Sequence, residues 1–430
     1  MVIRRSSILA AIAAAAMLAV GTALVPGLPA PAFAVDCAAP AWAEGTTYAV
    51  GDRVTYEGGG YTATTTHTAY PGTGWDPAST PALWTHDGTC DGGPAPDPTG
   101  DPTPTPTPTP TEPDPDPATP VAANGQLHVC GVGLCNEDGT RIQLRGMSTH
   151  GTQWYSQCVT GASLDTLAHD WNADVVRIST YVQEGGYETD PEGFTDLVHT
   201  YIDMLTARGM YAVVDWHMLD PGDPNVNLER AKTFFSAVAE RHGGKNNIIY
   251  EVANEPNGVS WQSIKSYHEQ IIPVIREKDP DAVVLLGTRG WSSLGVSEGS
   301  DESEIVNDPV DASNVMYTFH FYAASHGQEY LNTLSRAADR IPMFVTEFGT
   351  QDYAGEGAND FAMSQRYLDL AASKKISWVN WNFSDDHRSG AVLTQGSCAA
   401  GSFGTGNLKE AGLWIRDRIR TPDDFQPSTP

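Results

Sequence analysis

Ile248-Ile249-Tyr250-Glu251-Val252-Ala253-Asn254-Glu255-Pro256 is the stretch on which the fold turns. An apolar, β-prone run ends abruptly in an amide, a carboxylate and a proline, and so reads as a strand buried on both faces that stops at a site. Pro256 has no N–H with which to continue a ladder, which puts Asn254 and Glu255 at the C-terminal lip of the strand. The same logic recurs in Met343-Phe344-Val345-Thr346-Glu347-Phe348-Gly349, an apolar run that delivers a carboxylate just before a glycine.

Around these two runs, strand-like segments recur at Arg141 to Arg145, Val175 to Thr180, Tyr211 to Asp215, Ile248 to Asn254, Val283 to Gly287, Val315 to Phe321, Met343 to Glu347 and Ile376 to Asn382. Amphipathic segments such as Phe194 to Arg208, Leu228 to Arg241 and Ile264 to Arg276 lie between them at helical spacing. Eight strands alternating with helices over about 300 residues predict an α/β fold, a (β/α)8 TIM barrel over residues 121–430. In such a barrel the functional site lies at the C-terminal ends of the strands.

Those ends carry His150 with Trp154 and Tyr155, Arg177 with Tyr181, His217, Asn254 with Glu255, Thr288 with Trp291, His320 with Tyr322, Glu347, and Trp381 with Asn382. Carboxylates, imidazoles, an arginine and indoles converging on one rim suit a cleft that grips a sugar by stacking and hydrogen bonding. Two carboxylates delivered to the same rim are what hydrolysis of a glycosidic bond requires. Rival chemistries lack their patterns. Asp215-Trp216-His217 is not a zinc spacing and no HExxH follows, so no metal is expected. Nor is there a GxSxG elbow, a GxGxxG loop or a P-loop, and no cofactor is expected.

Charge and targeting signals narrow the class further. With 25 Lys and Arg against 53 Asp and Glu, the formal net charge is −28, which disfavours nucleic acid and anionic membranes as partners. Arg4 and Arg5 precede an apolar run from Ile8 to Val25, and Ala32-Phe33-Ala34 supplies small residues for cleavage, so residues 1–34 read as a signal peptide of a secreted, extracellular protein. All six cysteines follow that leader, where disulfides persist, and the domain layout suggests Cys37–Cys90, Cys130–Cys135 and Cys158–Cys398. The Pro/Thr-rich stretch of residues 91–120 cannot bury a core and reads as an extended linker. A monomer of two folded units is expected.

The first unit, residues 35–90, interleaves Trp42, Tyr48, Tyr56, Tyr61, Trp75 and Trp84 with Gly and Thr, and reads as short antiparallel strands around a Gly58-Gly59-Gly60 turn. Ala41-Trp42, Tyr48-Ala49-Val50-Gly51-Asp52, Tyr61-Thr62-Ala63 and Trp84 resemble the small carbohydrate-binding modules of families 5 and 12. The resemblance implies binding of cellulose or chitin through exposed aromatics. Where some of those modules place an aromatic pair, this chain has Thr64-Thr65-Thr66, which leaves Trp42, Tyr70 and Trp75 as the expected sugar-binding residues and Trp84 in the core.

In the second unit, Gly146-Met147-Ser148-Thr149-His150-Gly151-Thr152-Gln153-Trp154-Tyr155, Val175-Val176-Arg177-Ile178, Asp215-Trp216-His217, Tyr250-Glu251-Val252-Ala253-Asn254-Glu255-Pro256, His320-Phe321-Tyr322 and Thr346-Glu347-Phe348-Gly349 resemble glycoside hydrolase family 5, in particular its bacterial endo-β-1,4-glucanases. The resemblance implies Glu255 as acid/base and Glu347 as nucleophile, with Arg177 and Asn254 holding the carboxylates and the 2-hydroxyl. It also implies that His217, His320 and Tyr322 complete the centre, and that Trp154 and Trp381 stack on the non-leaving side. His150, Tyr155, Tyr181 and Trp291 complete the expected substrate-binding set. Physically, Arg177 is expected to keep Glu347 ionised, and burial beside a like charge to raise Glu255. One departure stands out: Trp381-Asn382-Phe383-Ser384-Asp385-Asp386 ends in an acid where the subgroup commonly shows a lysine. A β-mannanase or another β-glucanase on the same barrel is the alternative within enzymes, and a non-hydrolytic polysaccharide-binding protein the alternative outside them.

Overall fold

The structure, a computed structural model, describes residues 39–43, 46–65, 67–69, 76–78, 80, 83–89 and 119–421. The expected signal peptide, the Cys37–Cys90 pairing, most of the linker, and Tyr70 and Trp75 lie outside the described residues.

Eight parallel strands close into a barrel. They are β1 (Arg145–Thr149), β2 (Val175–Tyr181), β3 (Tyr211–His217), β4 (Ile248–Glu251), β5 (Val283–Leu286), β6 (Val315–Tyr322), β7 (Met343–Gly349) and β8 (Ser377–Phe383), with β8 pairing back on β1. Long helices α1 (Pro191–Thr206), α2 (Leu228–His242), α3 (Trp261–Arg276), α4 (Gln328–Ala337), α5 (Phe361–Lys374) and α6 (Glu410–Ile419) cover most of its outside. Side-chain alternation sorts each strand. In β3, Ala212, Val214 and Trp216 join the outer core, while Val213 faces the barrel interior. Asp215 and His217 continue that inward register toward the site.

One strand is not where the hydrophobic pattern put it. β1 begins only at Arg145, and Ile142 and Leu144, read from sequence as part of it, instead join Leu127 and Leu134 against Val175, Tyr211, Ile249, Val283, Met316, Phe344 and Val379. These partners all fall within the first three residues of their strands, so the run plugs the barrel floor from below. An apolar floor needs apolar side chains without ladder bonds, and periodicity cannot separate the two uses. β1 and β2 also approach closely at Gly146, where a Cβ would stand 1.8 Å from the Val175 carbonyl oxygen. β4 stops at Glu251, but Val252 and Asn254 still donate to the Leu285 and Trp216 carbonyls, so the chain reaches the rim as expected.

Between β5 and β6 no long helix forms. The chain makes a tight loop in which Trp291, Ser292 and Leu294 all have positive φ, a costly conformation for residues with a Cβ. That loop is fixed from beneath: Trp291 N–H donates to the Pro256 carbonyl at 3.0 Å and Ser292 Oγ to the Asn254 carbonyl at 2.6 Å.

Disulfides join Cys130 to Cys135, closing the hairpin His128–Cys130/Gly133–Cys135, and Cys158 to Cys398. The second bridge spans 240 residues. Closing so long a loop removes much unfolded-state freedom, and on the chain-entropy account contributes roughly 5 kcal/mol. Cys398→Ser is therefore expected to lower the urea midpoint markedly while leaving the denaturant slope of the native baseline unchanged. An unaltered midpoint would show that the bridge adds nothing to stability.

Within the N-terminal unit, strands Arg53–Tyr56, Gly59–Ala63 and Trp84–Thr89 form an antiparallel sheet over Val54, Ala63 and Trp84, which are buried. Its first turn is Glu57-Gly58, both at positive φ and with Tyr56 paired to Gly59, one step earlier than the glycine run suggested. Thr47–Tyr48 pairs separately with His67–Thr68.

Candidate active site

The site is built on a buried arginine. Arg177 projects from the middle of β2 with no solvent exposure and is met by carboxylates from three other strands. Its Nε lies 2.6 Å from Glu251 Oε2, its Nη2 3.0 Å from Asp215 Oδ2, and its Nη1 3.3 Å from Glu347 Oε2. Nη2 also donates to Asn254 Oδ1 at 2.6 Å. One cation thus serves three acids, so these charges sit inside the barrel only as a set. For Glu251, burial pushes the carboxyl up, but Arg177 and the nearby His320, whose Nε2 is 3.8 Å from Oε1, outweigh it and leave it below the usual range.

Asp215 and His217 form a second layer. Burial drives Asp215 well above the ordinary carboxylate value and His217 well below the ordinary imidazole value. With Nδ1 of His217 2.7 Å from Asp215 Oδ2, the two hold a single proton between them. The far ring nitrogen, Nε2, faces the Asn254 amide at 3.3 Å and accepts from it, which places that proton on the Asp215 side of the ring.

Glu347 and Glu255 face each other above this frame. A carboxylate oxygen of each and a ring nitrogen of His320 lie within 4.8 Å of one another. The β6–β7 register slips between the Thr318–Phe344 and His320–Glu347 pairs, a bulge of the kind that re-aims side chains next to sites. Tyr322 Oη donates to Glu347 Oε1 at 2.5 Å while Arg177 holds Oε2. Burial, then the charge of Glu255, raises Glu347 above the usual range against His320, Arg177 and Tyr322. The sequence reading expected Glu347 to stay low. Arg177 alone does not offset the enclosure of a residue with so little exposure. Even so, both oxygens of Glu347 accept hydrogen bonds, and a proton on either would cost one of them.

His320 links the two acids. Its Nδ1 lies 2.8 Å from Glu255 Oε1 and its Nε2 2.9 Å from Thr346 Oγ1. Burial alone would lower this imidazole, but Glu347, Glu251 and Glu255 lift it to about 9. The sign follows: a raised histidine contributes stability in full below its unfolded value of 6.5, and loses it as pH rises through about 9. Unfolding by urea between those limits should show the unaltered protein losing about 3 kcal/mol more than His320→Gln. Parallel curves would mean that His320 is uncharged at neutrality.

The open cleft above these groups holds about 1250 Å³. His150, Trp154, Tyr155, Tyr181, His217, Glu255, Trp291, His320, Tyr322, Glu347 and Trp381, all named from sequence, line it. Arg177 and Asn254 do not; both are fully buried beneath it and position the residues that do. On one wall, Trp154 follows β1 and Trp381 lies near the end of the adjacent β8, Trp154 being 43% exposed. His217 stacks between Tyr181 at 4.1 Å and Trp381 at 5.2 Å, measured between ring centroids. His150 packs on Tyr155 and Trp381, and burial lowers its pKa to about 4. Asp386, the acid that departs from the subgroup, also lines the cleft, 2.7 Å from His387 Nδ1 and 3.6 Å from Arg388 Nη1.

Sequence reasoning quoted Glu251 and Asp215 within the family motifs but gave neither a role, and weighed Asp215 only as a metal ligand, which it rejected. A charge inside an otherwise apolar strand was the available signal for both. It also missed wall residues such as Glu184, His326 and Arg388, which come from loops, and Tyr330, from the first turn of α4. In the N-terminal unit, Trp42 is half-buried and packs edge-on against Tyr56 with ring centroids 5.2 Å apart, and Trp84 is buried as expected.

Residues 135–387 match the family model described as Cellulase (glycosyl hydrolase family 5), and the chain belongs to that family. Residues 41–85 match Carbohydrate-binding module family 5/12. Among curated relatives, Endoglucanase E-5 of Thermobifida fusca is 60% identical over 304 residues, covering 70% of this chain and 65% of that protein. Endoglucanase MaCel5A of a Microbulbifer species is 61% identical over 305 residues, covering 70% and 59%. The chain therefore spans roughly three-fifths of the length of these relatives. The crystal structure of the catalytic domain of Thermobifida fusca endoglucanase Cel5A superposes with a TM-score of 0.70 over 70% of this chain and all of that one, at 60% identity. A variant of that domain has been solved in complex with cellotetraose, again with a TM-score of 0.70.

Proposed function

We propose that the chain is a secreted, retaining endo-β-1,4-glucanase that cuts internal linkages of cellulose and related β-glucans. The observation that carries this reading is the approach of Glu255 and Glu347, with carboxylate oxygens within 4.8 Å across an aromatic-lined cleft. Retaining glycosidases hold their carboxyl groups about 5 to 5.5 Å apart, whereas inverting ones leave roughly 6.5 to 9.5 Å for a water. The endoglucanase relatives and the cellotetraose complex of the neighbouring structure support a β-1,4-glucan as substrate.

Glu347, held by Tyr322 and Arg177, attacks the anomeric carbon as Glu255 donates a proton to the departing glycosidic oxygen. The glycosyl-enzyme is then opened by water, which Glu255 deprotonates. His320 ties its Nδ1 to Glu255 and fixes the direction from which that proton arrives. Trp154 and Trp381 stack on sugar rings on the non-leaving side.

Carboxymethylcellulose tests the reading. Viscosity should fall well ahead of the release of reducing ends, and the first product anomer should be β. An α first product, viscosity tracking reducing ends, or faster turnover of mannan would each overturn it.

Residues 35–90 are proposed to act as a polysaccharide-binding module joined through the Pro/Thr linker, so the two units cooperate only through effective concentration. Deleting 35–120 is expected to leave turnover of soluble glucan within about twofold while weakening retention on insoluble cellulose severalfold. Equal pull-down of both forms on cellulose and on chitin would refute the module's role.

A further inference from the structure

Glu255 stands on a piece of chain beyond the last paired residue of its strand. β4 ends at Glu251, and Pro256 brings no N–H, so residues 254–258 keep their place through bonds to the two neighbouring loops. On the β3 side, the Asn254, Glu255 and Asn257 N–H groups donate to the carbonyls of Trp216, Met218 and Gly222 at 3.1, 3.3 and 3.0 Å. On the β5 side, the Trp291 N–H and Ser292 Oγ donate to the Pro256 and Asn254 carbonyls, and the Gly258 N–H donates to Glu298 Oε1 at 2.6 Å.

We propose that Glu298 is a positioning residue for the acid/base, fixing the backbone that carries Glu255 and so the line along which Glu255 passes its proton. It rests on the two-glutamate reading above. A hydrogen bond to a carboxylate is roughly twice as strong as one to a neutral acceptor. This one falls three residues after Glu255, where the segment turns away with Gly258 at φ 69°. Glu298 is itself held, with Oε2 2.8 Å from Arg289 Nε, and Arg289 Nη1 lies 2.7 Å from Glu304 Oε1. With one oxygen on a backbone N–H and the other on a guanidinium, the carboxylate cannot turn without losing a partner.

The loop that carries Glu298 needs this contact as much as the acid's segment does. Trp291, Ser292 and Leu294 take left-handed conformations, which persist only where the surroundings impose them. Glu298 joins the far end of that loop to Gly258, so loop and segment hold each other in place. Without it the segment keeps its β3 contacts but is free to tilt on the β5 side. His320 then still grips the Glu255 carboxylate, but from a displaced backbone. A misplacement of about 1 Å can cost on the order of 10²-fold where reacting atoms must align.

The test uses the full chain and two aryl β-cellobiosides that differ only in the leaving group. Dinitrophenolate departs without a proton, whereas phenolate needs one from Glu255. For Glu298→Ala, kcat/KM for the phenyl substrate should fall about tenfold and that for the dinitrophenyl substrate should stay within about twofold. A role in folding or cleft shape alone would lower both alike. Glu298→Gln, whose amide oxygen still accepts from the Gly258 N–H, should recover most of the loss. If Glu298→Ala fails to fold, Arg289→Gln, which leaves Glu298 without its cation, carries the same comparison with an expected phenyl-selective fall of about threefold. An unchanged phenyl value, or equal falls on both substrates, would overturn the proposal. If Glu255→Ala itself fails to separate the two substrates, the two-glutamate reading has failed and the proposal falls with it.

Discussion

Glu347→Ala and Glu255→Ala should each lose several orders of magnitude in turnover of β-glucan, and azide should rescue them to products of opposite configuration. Assistance from a positioned acid or base alone is worth roughly 10²- to 10⁴-fold, and removing the nucleophile abolishes the intermediate altogether. The assignment rests on what each carboxylate touches. Glu347 has both oxygens held by donors, Tyr322 at 2.5 Å and Arg177 at 3.3 Å, as a nucleophile kept ionised and oriented must be. Among the described residues the Glu255 carboxylate meets one hydrogen-bond partner, His320, and it is the more open of the two. With an activated aryl glycoside, Glu255→Ala should still form the glycosyl-enzyme, and azide should intercept it to give the β-glycosyl azide. Glu347→Ala forms no such species, so azide takes the nucleophile's place and gives the α product. Proton NMR of the two azides decides the matter, and the reverse pairing of variant and anomer would exchange the roles.

The second large effect lies below the cleft. Glu251→Gln should destabilise the fold by about 3 to 5 kcal/mol at pH 7, the usual result of removing one partner from a buried pair. That is a sizeable share of the roughly 5 to 15 kcal/mol that separates folded from unfolded chains. Glu251 binds Arg177 through both oxygens, at 2.6 and 3.3 Å, and has no solvent to fall back on. Its lowered pKa sets the pH dependence. The contribution is fully present above the unfolded value of 4.5 and is lost as pH falls below it, so the gap between variant and parent should close in acid. Urea unfolding at neutral and acidic pH measures both. A cost under about 1 kcal/mol at pH 7 would mean that Asp215 and Glu347 suffice to hold Arg177.

These two effects also mark what could be read from sequence. Glu255 and Glu347 were legible because each ends an apolar run beside a residue that breaks it, and strand ends on one barrel rim must converge. Glu251 was not legible as part of the site, since one polar residue inside a buried strand looks the same whether it faces helices or the barrel axis. Arg177 and Asn254 were found, but their full burial beneath the cleft was not, because residue type gives no depth. Ile142 and Leu144 show the limit for the fold: an apolar run that plugs a floor and one that joins a ladder have the same composition. His326 and Arg388 sit on connections without periodicity, so only the folded path of the loops brings them to the cleft.

The bridge between Cys158 and Cys398 makes a closed covalent ring of the chain from the β1–β2 connection to the loop beyond β8. Every strand from β2 to β8 lies on that ring. A protease that severs any one loop within it leaves a linear chain still joined end to end through sulfur, and the fragments cannot diffuse apart. For a secreted protein, as proposed above, a nick becomes a tolerable injury, one that turns into loss of the chain only when a reductant arrives as well.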